Sequence, residues 1–358
     1  MSHSFKNIVI TGGAGFVGSN LGLFLKRDFS NVQITALDNL KRRGSELNLK
    51  RLEKGGVGFI HGDIRNREDI LALPAFDLIL ECSAEPSVLA GYDGSPDYVV
   101  NTNLLGTINC LEVARHHGAA MVFLSTSRVY PIEKINKLNI IEAETRFELK
   151  DDQPVPGARL QGLNESFPLD GGRSLYGTTK LCSEFLLQEY ISMYGMKGII
   201  NRCGILTGPW QMGKVDQGVV VHWAAKHVFG GKLAYFGYGG MGKQTRDILH
   251  IEDLYDLLQL QLKGFDEHNG KIYNIGGGRK ISLSLLELTK LCTKASGKSL
   301  SIDSVSETQK SDIPIYISDC AKITQSTGWK PKRSPEEIID EILRWINDNR
   351  YLLKPIFS

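Results

Sequence analysis

The sequence predicts an α/β protein: a doubly wound parallel sheet followed by a smaller mixed α/β domain. Three observations predict it. In the first half, short runs rich in Val, Ile and Leu alternate with helical patterns, as expected of strands buried on both faces and joined by helical crossovers. A glycine-rich turn, "TGGAGFVG", joins the first such run to the first helical pattern. At 358 residues and 42% hydrophobic content, the chain is long enough for two domains. The expected division is 1–202 and 203–358, with parts of 242–278 returning to the first domain.

In order along the chain, "NIVITG" reads as a strand and is followed by a helix from about Gly15. "QITALD", "GVGFIHGD" and "FDLILECSA" read as further strands, then comes a helix through "TNLLGTINCLEVARHHG" and a strand in "AMVFLSTSRVY". From about 131 to 173 the regularity lapses: Pro131, Pro154, Pro156 and Pro168 punctuate a long connection of the kind that often serves function. Leu181, Phe185, Leu186, Tyr190 and Met193 then recur at helical intervals, with Gly195 as a stop signal. "MKGIINRCGI" restores a strand, and "GPWQMGKVDQG" is irregular. A helix around "VVVHWAAKHVFGG", strands at "KLAYFG", "DILHI" and "KIYNIGGG", a helix from Leu283 to Ser296, a strand at "LSIDSV" and a closing helix from Pro335 to Asn349 complete the second half.

Composition removes several function classes. A formal charge of +2 with interspersed signs offers no footprint for nucleic acid and no polybasic run for a membrane surface. No apolar run approaches a membrane span, and a strand begins almost at the N-terminus, so neither a transmembrane segment nor a signal peptide is expected. The six cysteines are far apart, without C-x-x-C or a nearby His pair, so reduced thiols in a cytoplasm are expected and no metal site is indicated.

The turn satisfies G-x-G-x-x-G through Gly13, Gly15 and Gly18, and G-x-x-G-x-x-G through Gly12, Gly15 and Gly18. Such glycines permit a tight turn and close approach of a pyrophosphate, with the helix N-terminus facing the anion, which makes the sheet Rossmann-type. Asp38 ends the next strand 20 residues after Gly18, where a carboxylate grips the adenosine ribose. A carboxylate there repels a 2′-phosphate, which favours NAD; Arg42 and Arg43 keep NADP as the alternative. Tyr176 and Lys180 stand one turn apart on one face of the helix that follows. A second pair at that spacing, Tyr130 and Lys134, has Pro131 between them, which argues against a shared helical face.

"TGGAGFVG", Asp38, "HGDI", "CSAE", "NTNLLGT", "LSTSRVY", "YGTTK" and "RDILHIEDL" together resemble the motif series of extended short-chain dehydrogenases/reductases acting on nucleotide sugars, over nearly the whole chain. "DQGVVVHW", "GKQTRDILH", "SLSLLEL" and "SDIPIYISDCAKITQSTGWKPK" are similar to the CDP-paratose (CDP-tyvelose) 2-epimerase branch. Pro131 departs from the glycine common in the family after "VY", and the 131–173 connection is long.

The resemblance implies roles by position. Gly12, Gly15, Phe16, Val17 and Gly18 would hold the pyrophosphate, Asp38 and Asn39 the ribose, and Asp63 and Ile64 the adenine. Ser83, Ala84, Glu85 and Asn103 would line the middle of the cofactor, with Tyr176 and Lys180 at its reactive end. Thr126, Tyr176 and Lys180 match the catalytic Ser/Thr and Tyr-x-x-x-Lys positions. Arg246 matches an arginine that contacts the nucleotide diphosphate, and Lys214, Asp216, Gln217 and His250 join Thr126 as candidate substrate contacts. A free tyrosine has a pKa of about 10; a neighbouring ammonium and a positive nicotinamide favour the phenolate, so Tyr176 would act as base with Lys180 as its activator.

The implied activity is epimerisation at C-2 of a nucleotide-linked hexose, by hydride removal and return, with NAD as cofactor and a homo-oligomer, dimer or tetramer, as the assembly. A 4,6-dehydratase is disfavoured because Ser127 and Arg128 stand where it needs an acidic pair. A nucleotide-sugar 4-epimerase needs no extra residue and stays as the alternative. A non-catalytic NAD-binding protein is the remote one.

Overall fold

The computed structural model describes residues 5–92, 94–214 and 217–357. Hydrophobic runs predicted as strands build a seven-stranded parallel sheet flanked by helices. Its first five strands are β1 (Asn7–Thr11), β2 (Gln33–Asp38), β3 (Gly58–His61), β4 (Leu78–Glu81) and β5 (Ala120–Thr126). In space the order is β3, β2, β1, β4, β5, then Gly198–Cys203 and Ile272–Ile275. The winding direction therefore reverses between β1 and β4, and open sheets of this kind take ligands at the carboxyl ends of the strands beside such a reversal. β1 pairs with β2 from Asn7↔Gln33 to Thr11↔Leu37 and with β4 from Ile8↔Leu78 to Thr11↔Glu81. Under one face, Val9, Leu37, Ile79, Met121, Phe123 and Ile200 pack against helix residues such as Leu111, Val113 and Leu187.

The chain divides into two compact units. One comprises Met1–Val129, Ser174–Arg202 and Tyr255–Tyr273; the other Tyr130–Arg173, Cys203–Leu254 and Asn274–Ser358. The expected scheme has 131–173 in the first domain and parts of 242–278 returning to it. In the structure 131–173 belongs to the second unit, and the part that returns is Tyr255–Tyr273, inside the expected range. Within the first unit that return is fixed by Tyr255, whose hydroxyl donates to the Phe24 carbonyl and the Asp28 carboxylate at 3.0 and 2.8 Å.

The second unit holds a small mixed sheet in which Thr245–His250 lies between Ile205–Thr207 and Ser282–Ser284, with Ile315–Tyr316 also paired to it. Segment 131–173 is less irregular than its prolines suggested. It contains a short helix, Ile132–Ile135, and antiparallel pairs Ile140–Glu142 with Phe147–Leu149 and Ala158–Arg159 with Gly162–Leu163. Long-range bonds hold it inside its unit: Thr145 Oγ1 to Glu287 Oε1 at 2.6 Å, Thr245 Oγ1 to the Phe147 carbonyl at 2.7 Å, and Tyr130 Oη to Asn274 Oδ1 at 2.7 Å. The helix expected from Leu283 begins at Leu285, because Ser282–Ser284 is a strand and Ser284 forms a capping box with Glu287. The closing helix runs Pro335–Asp348, and a further helix, Arg350–Phe357, follows it.

Candidate active site

The glycine turn has the geometry its spacing requires. Gly12 adopts φ +62°, and a Cβ there would lie 3.0 Å from the Cys82 carbonyl. At Gly18 a Cβ would come within 2.4 Å of the Gly12 oxygen, so the helix Phe16–Asp28 (α1) packs directly on the turn. Gly15 caps α1 without a side-chain hydrogen bond, which leaves amides of the first turn for an incoming anion. Gly12, Gly15, Phe16 and Val17 are all partly exposed. This cradle, with no side chain in it, fits the pyrophosphate of a dinucleotide.

Asp38 reaches back to the same turn. Its carboxylate accepts the Ala14 amide at 3.1 Å and the Leu40 amide at 2.8 Å, and burial raises its pKa despite those bonds. Asn39 donates to Asp63 at 2.9 Å. Burial pushes the Asp63 carboxyl up, but bonds from Arg65 and Asn39 outweigh it and hold the pKa down to about 2. Ile64 is buried against Gly106, where a Cβ would meet its Cδ1 at 2.5 Å. Sequence reasoning missed Asn48 and Arg51: Asn48 donates to the Ala14 carbonyl at 2.8 Å, and Arg51 bridges Asn48 and Asn20 at 2.6 and 2.9 Å. Burial lowers the Arg51 pKa to about 10. Nothing in their local pattern marks them, since their role comes from lying under the turn.

At the other end, Asn103 joins two elements. It sits in a π-helical turn, Asn101–Leu105, inside the stretch expected to be regular helix; widened turns of this kind recur at functional sites. Asn103 Oδ1 accepts the Glu85 amide at 2.7 Å, and its Nδ2 donates to the Glu85 carbonyl at 3.0 Å and to Thr179 Oγ1 at 3.3 Å. The Ser83–Glu85 loop is thereby tied to the helix that carries Tyr176. That helix, Leu175–Tyr194, starts from Ser174, whose side chain accepts the Gly177 amide. Tyr176 is half-buried on its first turn, and Lys180 is buried one turn later.

Thr126 is the last residue of β5 and is 7% exposed; its hydroxyl accepts the Arg128 amide at 3.2 Å. Its neighbour Ser125 donates to Glu184 at 2.5 Å, and Glu184 takes a bidentate pair from Arg202, Nε to Oε1 at 3.1 Å and Nη2 to Oε2 at 2.7 Å. This buried triad fixes the Tyr176 helix against β5. The Lys180 ammonium lies 4.0 Å from the Phe123 ring centroid and 3.6 Å from the Glu81 carboxylate. Glu81 was not foreseen, although a lone carboxylate in the apolar run "LILEC" is a readable signal.

The candidate substrate residues lie in the second unit, apart from Thr126. Arg246 donates to the carbonyls of Thr245 at 2.9 Å and Ile313 at 2.6 Å, with Asp312 at 3.8 Å. His250 is buried, its Nδ1 accepting the Glu252 amide at 3.3 Å and its Nε2 3.4 Å from Glu341. Burial, with Arg333 nearby, lowers its pKa to about 3. It is a core imidazole rather than a surface one. Lys214 and Gln217 exchange backbone hydrogen bonds at 2.7 and 3.1 Å, and Asp216 lies outside the described residues. Among the described residues there is no group of His, Cys, Asp or Glu suited to a metal ion, and no helix is long and apolar enough to cross a membrane.

Residues 8–276 match the NAD dependent epimerase/dehydratase family. A CDP-paratose 2-epimerase from Salmonella typhi is 31% identical, over 94% of this chain and 98% of its own length. Among solved structures, DesIV, a dTDP-glucose 4,6-dehydratase from Streptomyces venezuelae with NAD and TYD bound, superposes with TM-score 0.79 at 26% identity, covering 98% of this chain and 100% of that one. A UDP-glucose 4-epimerase from Thermus thermophilus, in complex with NAD, gives TM-score 0.77 at 25% identity, covering 96% and 99%. The glycine cradle, the Asp38 carboxylate bonded to it and these likenesses agree, and the chain belongs to the NAD-dependent epimerase/dehydratase family of enzymes.

Proposed function

We propose that this enzyme, of the nucleotide-sugar epimerase/dehydratase type, inverts C-2 of a nucleotide-linked hexose, as in conversion of CDP-paratose to CDP-tyvelose. The reading rests on one observation above others: a relative named CDP-paratose 2-epimerase matches over 94% of this chain and 98% of its own length. It is supported by the turn after Thr126, where Ser127 and Arg128 supply no carboxylate for eliminating water.

The glycine cradle and Asp38 would hold NAD, which would supply the hydride-accepting and hydride-returning chemistry. The chain's own residues handle the proton and the orientation. Tyr176 Oη takes the C-2 hydroxyl proton as hydride departs from C-2, leaving a ketone, and gives the proton back when hydride returns to the opposite face. Atoms and electrons balance with no other reactant. Lys180 favours the phenolate during the first half, and Thr126 donates a hydrogen bond to the reacting oxygen. Inversion requires the ketone to turn over while the nucleotide stays anchored, a role we assign to Arg246 together with Lys214, Asp216 and Gln217. His250, buried at the end of the strand that carries Arg246, has a packing role in this reading. The cytoplasm suits this chemistry, and a homo-oligomer is the expected assembly.

A substrate deuterated at C-2 tests the reading. The label stays at C-2 through turnover in ordinary water, and no free NADH accumulates. Loss of deuterium to solvent would exclude hydride return. Inversion at C-4 with C-2 unchanged would assign the enzyme to 4-epimerases.

A further inference from the structure

Glu81 ends β4 at 0% exposure, and neither carboxylate oxygen has a hydrogen-bond partner of ordinary geometry among the described residues. Such a group is costly to bury: a carboxylate out of water needs a counter-charge or hydrogen bonds, and here it has chiefly the charge. That charge is Lys180, 2% exposed, its Nζ 3.6 Å away and so beyond ordinary hydrogen-bonding distance. The arrangement follows from strand register. Thr11↔Glu81 and Glu81↔Phe123 are paired positions on parallel neighbours, so the three side chains line one face of the sheet, and Lys180 comes down onto that face.

Among the described residues, the other groups around Glu81 bring no charge. The Cys110 thiol, on the helix Gly106–His117, is pushed well above its ordinary range by burial and by Glu81 itself, so it stays neutral. Thr11 on β1 and Phe123 on β5 do not titrate, and the Ser83 amide is the remaining polar neighbour. Lys180 thus faces a buried carboxylate and stands one helical turn after Tyr176.

We propose that Glu81 is a positioning residue of the active site, which holds Lys180 and sets how much of its positive charge acts on the Tyr176 phenol. The inference rests on the reading of Tyr176 and Lys180 given under the proposed function. With Glu81 ionised, the ammonium is partly neutralised and its pull on the phenol is weakened. With Glu81 protonated, the full charge acts on Tyr176. Burial raises the Glu81 carboxyl, which moves this exchange toward neutral pH, while Lys180 opposes that rise. Lys180 then couples a carboxylate that never meets substrate to the proton-transfer group that does.

The test reads the phenol directly. Near-ultraviolet phenolate absorbance is titrated in the full-length protein at matched NAD content, and the titration of the corresponding Tyr176→Phe protein is subtracted. Removing an anion from the immediate surroundings of Lys180 lowers the Tyr176 titration in Glu81→Gln by about one pH unit or more. Glu81→Asp, which keeps the charge on a shorter arm, gives a smaller shift in the same direction and decides the matter if the Gln variant does not fold. In a Lys180→Met background, Glu81→Gln produces no shift, because the coupling runs through the ammonium. An unmoved phenol in both Glu81 variants, or an equal shift without Lys180, overturns the proposal. Near-normal turnover by Tyr176→Phe would instead overturn the catalytic reading, and the titration would still report whether Glu81 controls the phenol.

Discussion

At Gly18 a single missing methyl group decides whether the turn exists. A Cβ there would lie 2.4 Å from the Gly12 oxygen and 2.8 Å from the Gly13 Cα, both backbone atoms that a rotamer change cannot move. Gly18→Ala therefore forces the start of α1 away from the turn and widens the anion cradle. The expected cost is on the order of 1–3 kcal/mol in urea unfolding, as for other overpacked sites, and purified protein should lose most of its NAD. Equal NAD content in variant and parent would show that the cradle tolerates the displacement. Gly12 is constrained differently: its φ of +62° suits glycine, and its Cβ contacts, at 3.0 Å, are less severe. Glycine types and spacing are readable from sequence, but which glycine has no slack is set by the atoms behind it.

Among elements, the helix Leu175–Tyr194 carries Tyr176 and Lys180, the reacting groups of the proposed function, and a buried ion pair holds it in place. Glu184, on this helix, accepts from Ser125 on β5 and from Arg202 on the adjacent strand, and both ionic partners are at most 2% exposed. With Ser125 the pair joins three segments, Ser125 lying 59 and Arg202 18 residues from Glu184, so it sets helix orientation rather than helix formation. Glu184→Gln leaves the Arg202 guanidinium buried without its carboxylate. Breaking a buried pair in this way costs about 3–5 kcal/mol, measured by denaturant unfolding. Because Thr126 follows Ser125 directly, turnover should fall more than NAD binding. A loss below about 1 kcal/mol, the scale of an exposed pair, would mean that Arg202 finds another partner.

For the molecule as a whole, the pH dependence of stability should show two buried imidazoles of the second unit. Burial lowers His250 to about 3 and His222 to about 4, against an ordinary value of 6.5. As pH falls from about 6.5 toward 4, the unfolded chain takes up these protons and the folded chain does not, so stability decreases with falling pH across that window. Asp63 acts lower: its depressed carboxyl contributes stability above its ordinary value of 3.8 that is lost as pH falls toward 2. His250→Gln should flatten the fall between pH 6.5 and 4 in a series of denaturant midpoints. Parallel curves for parent and variant would show that His250 is protonated in the folded state.

The sequence by itself determined the alternation of buried strands and helices, the glycine turn, Asp38, and the Tyr176 and Lys180 pair, because each is written within a few residues of its neighbours. Hydrophobic periodicity, turn chemistry and helical spacing act over about ten residues, so they survive in a linear reading. The 131–173 segment shows where that reach ends. Its prolines and glycines mark breaks, but it is held by distant partners such as Glu287, 142 residues from Thr145, and Thr245, 98 residues from Phe147. The same limit hid Asn48 and Arg51 under the turn and the widened helical turn that aims Asn103. Glu81 is the plainest case: its letter is visible in "LILEC", yet its partner comes from a helix about a hundred residues later. Only the tertiary structure decides burial and who shares it, and in a low-dielectric interior that sharing fixes which charge acts on Tyr176.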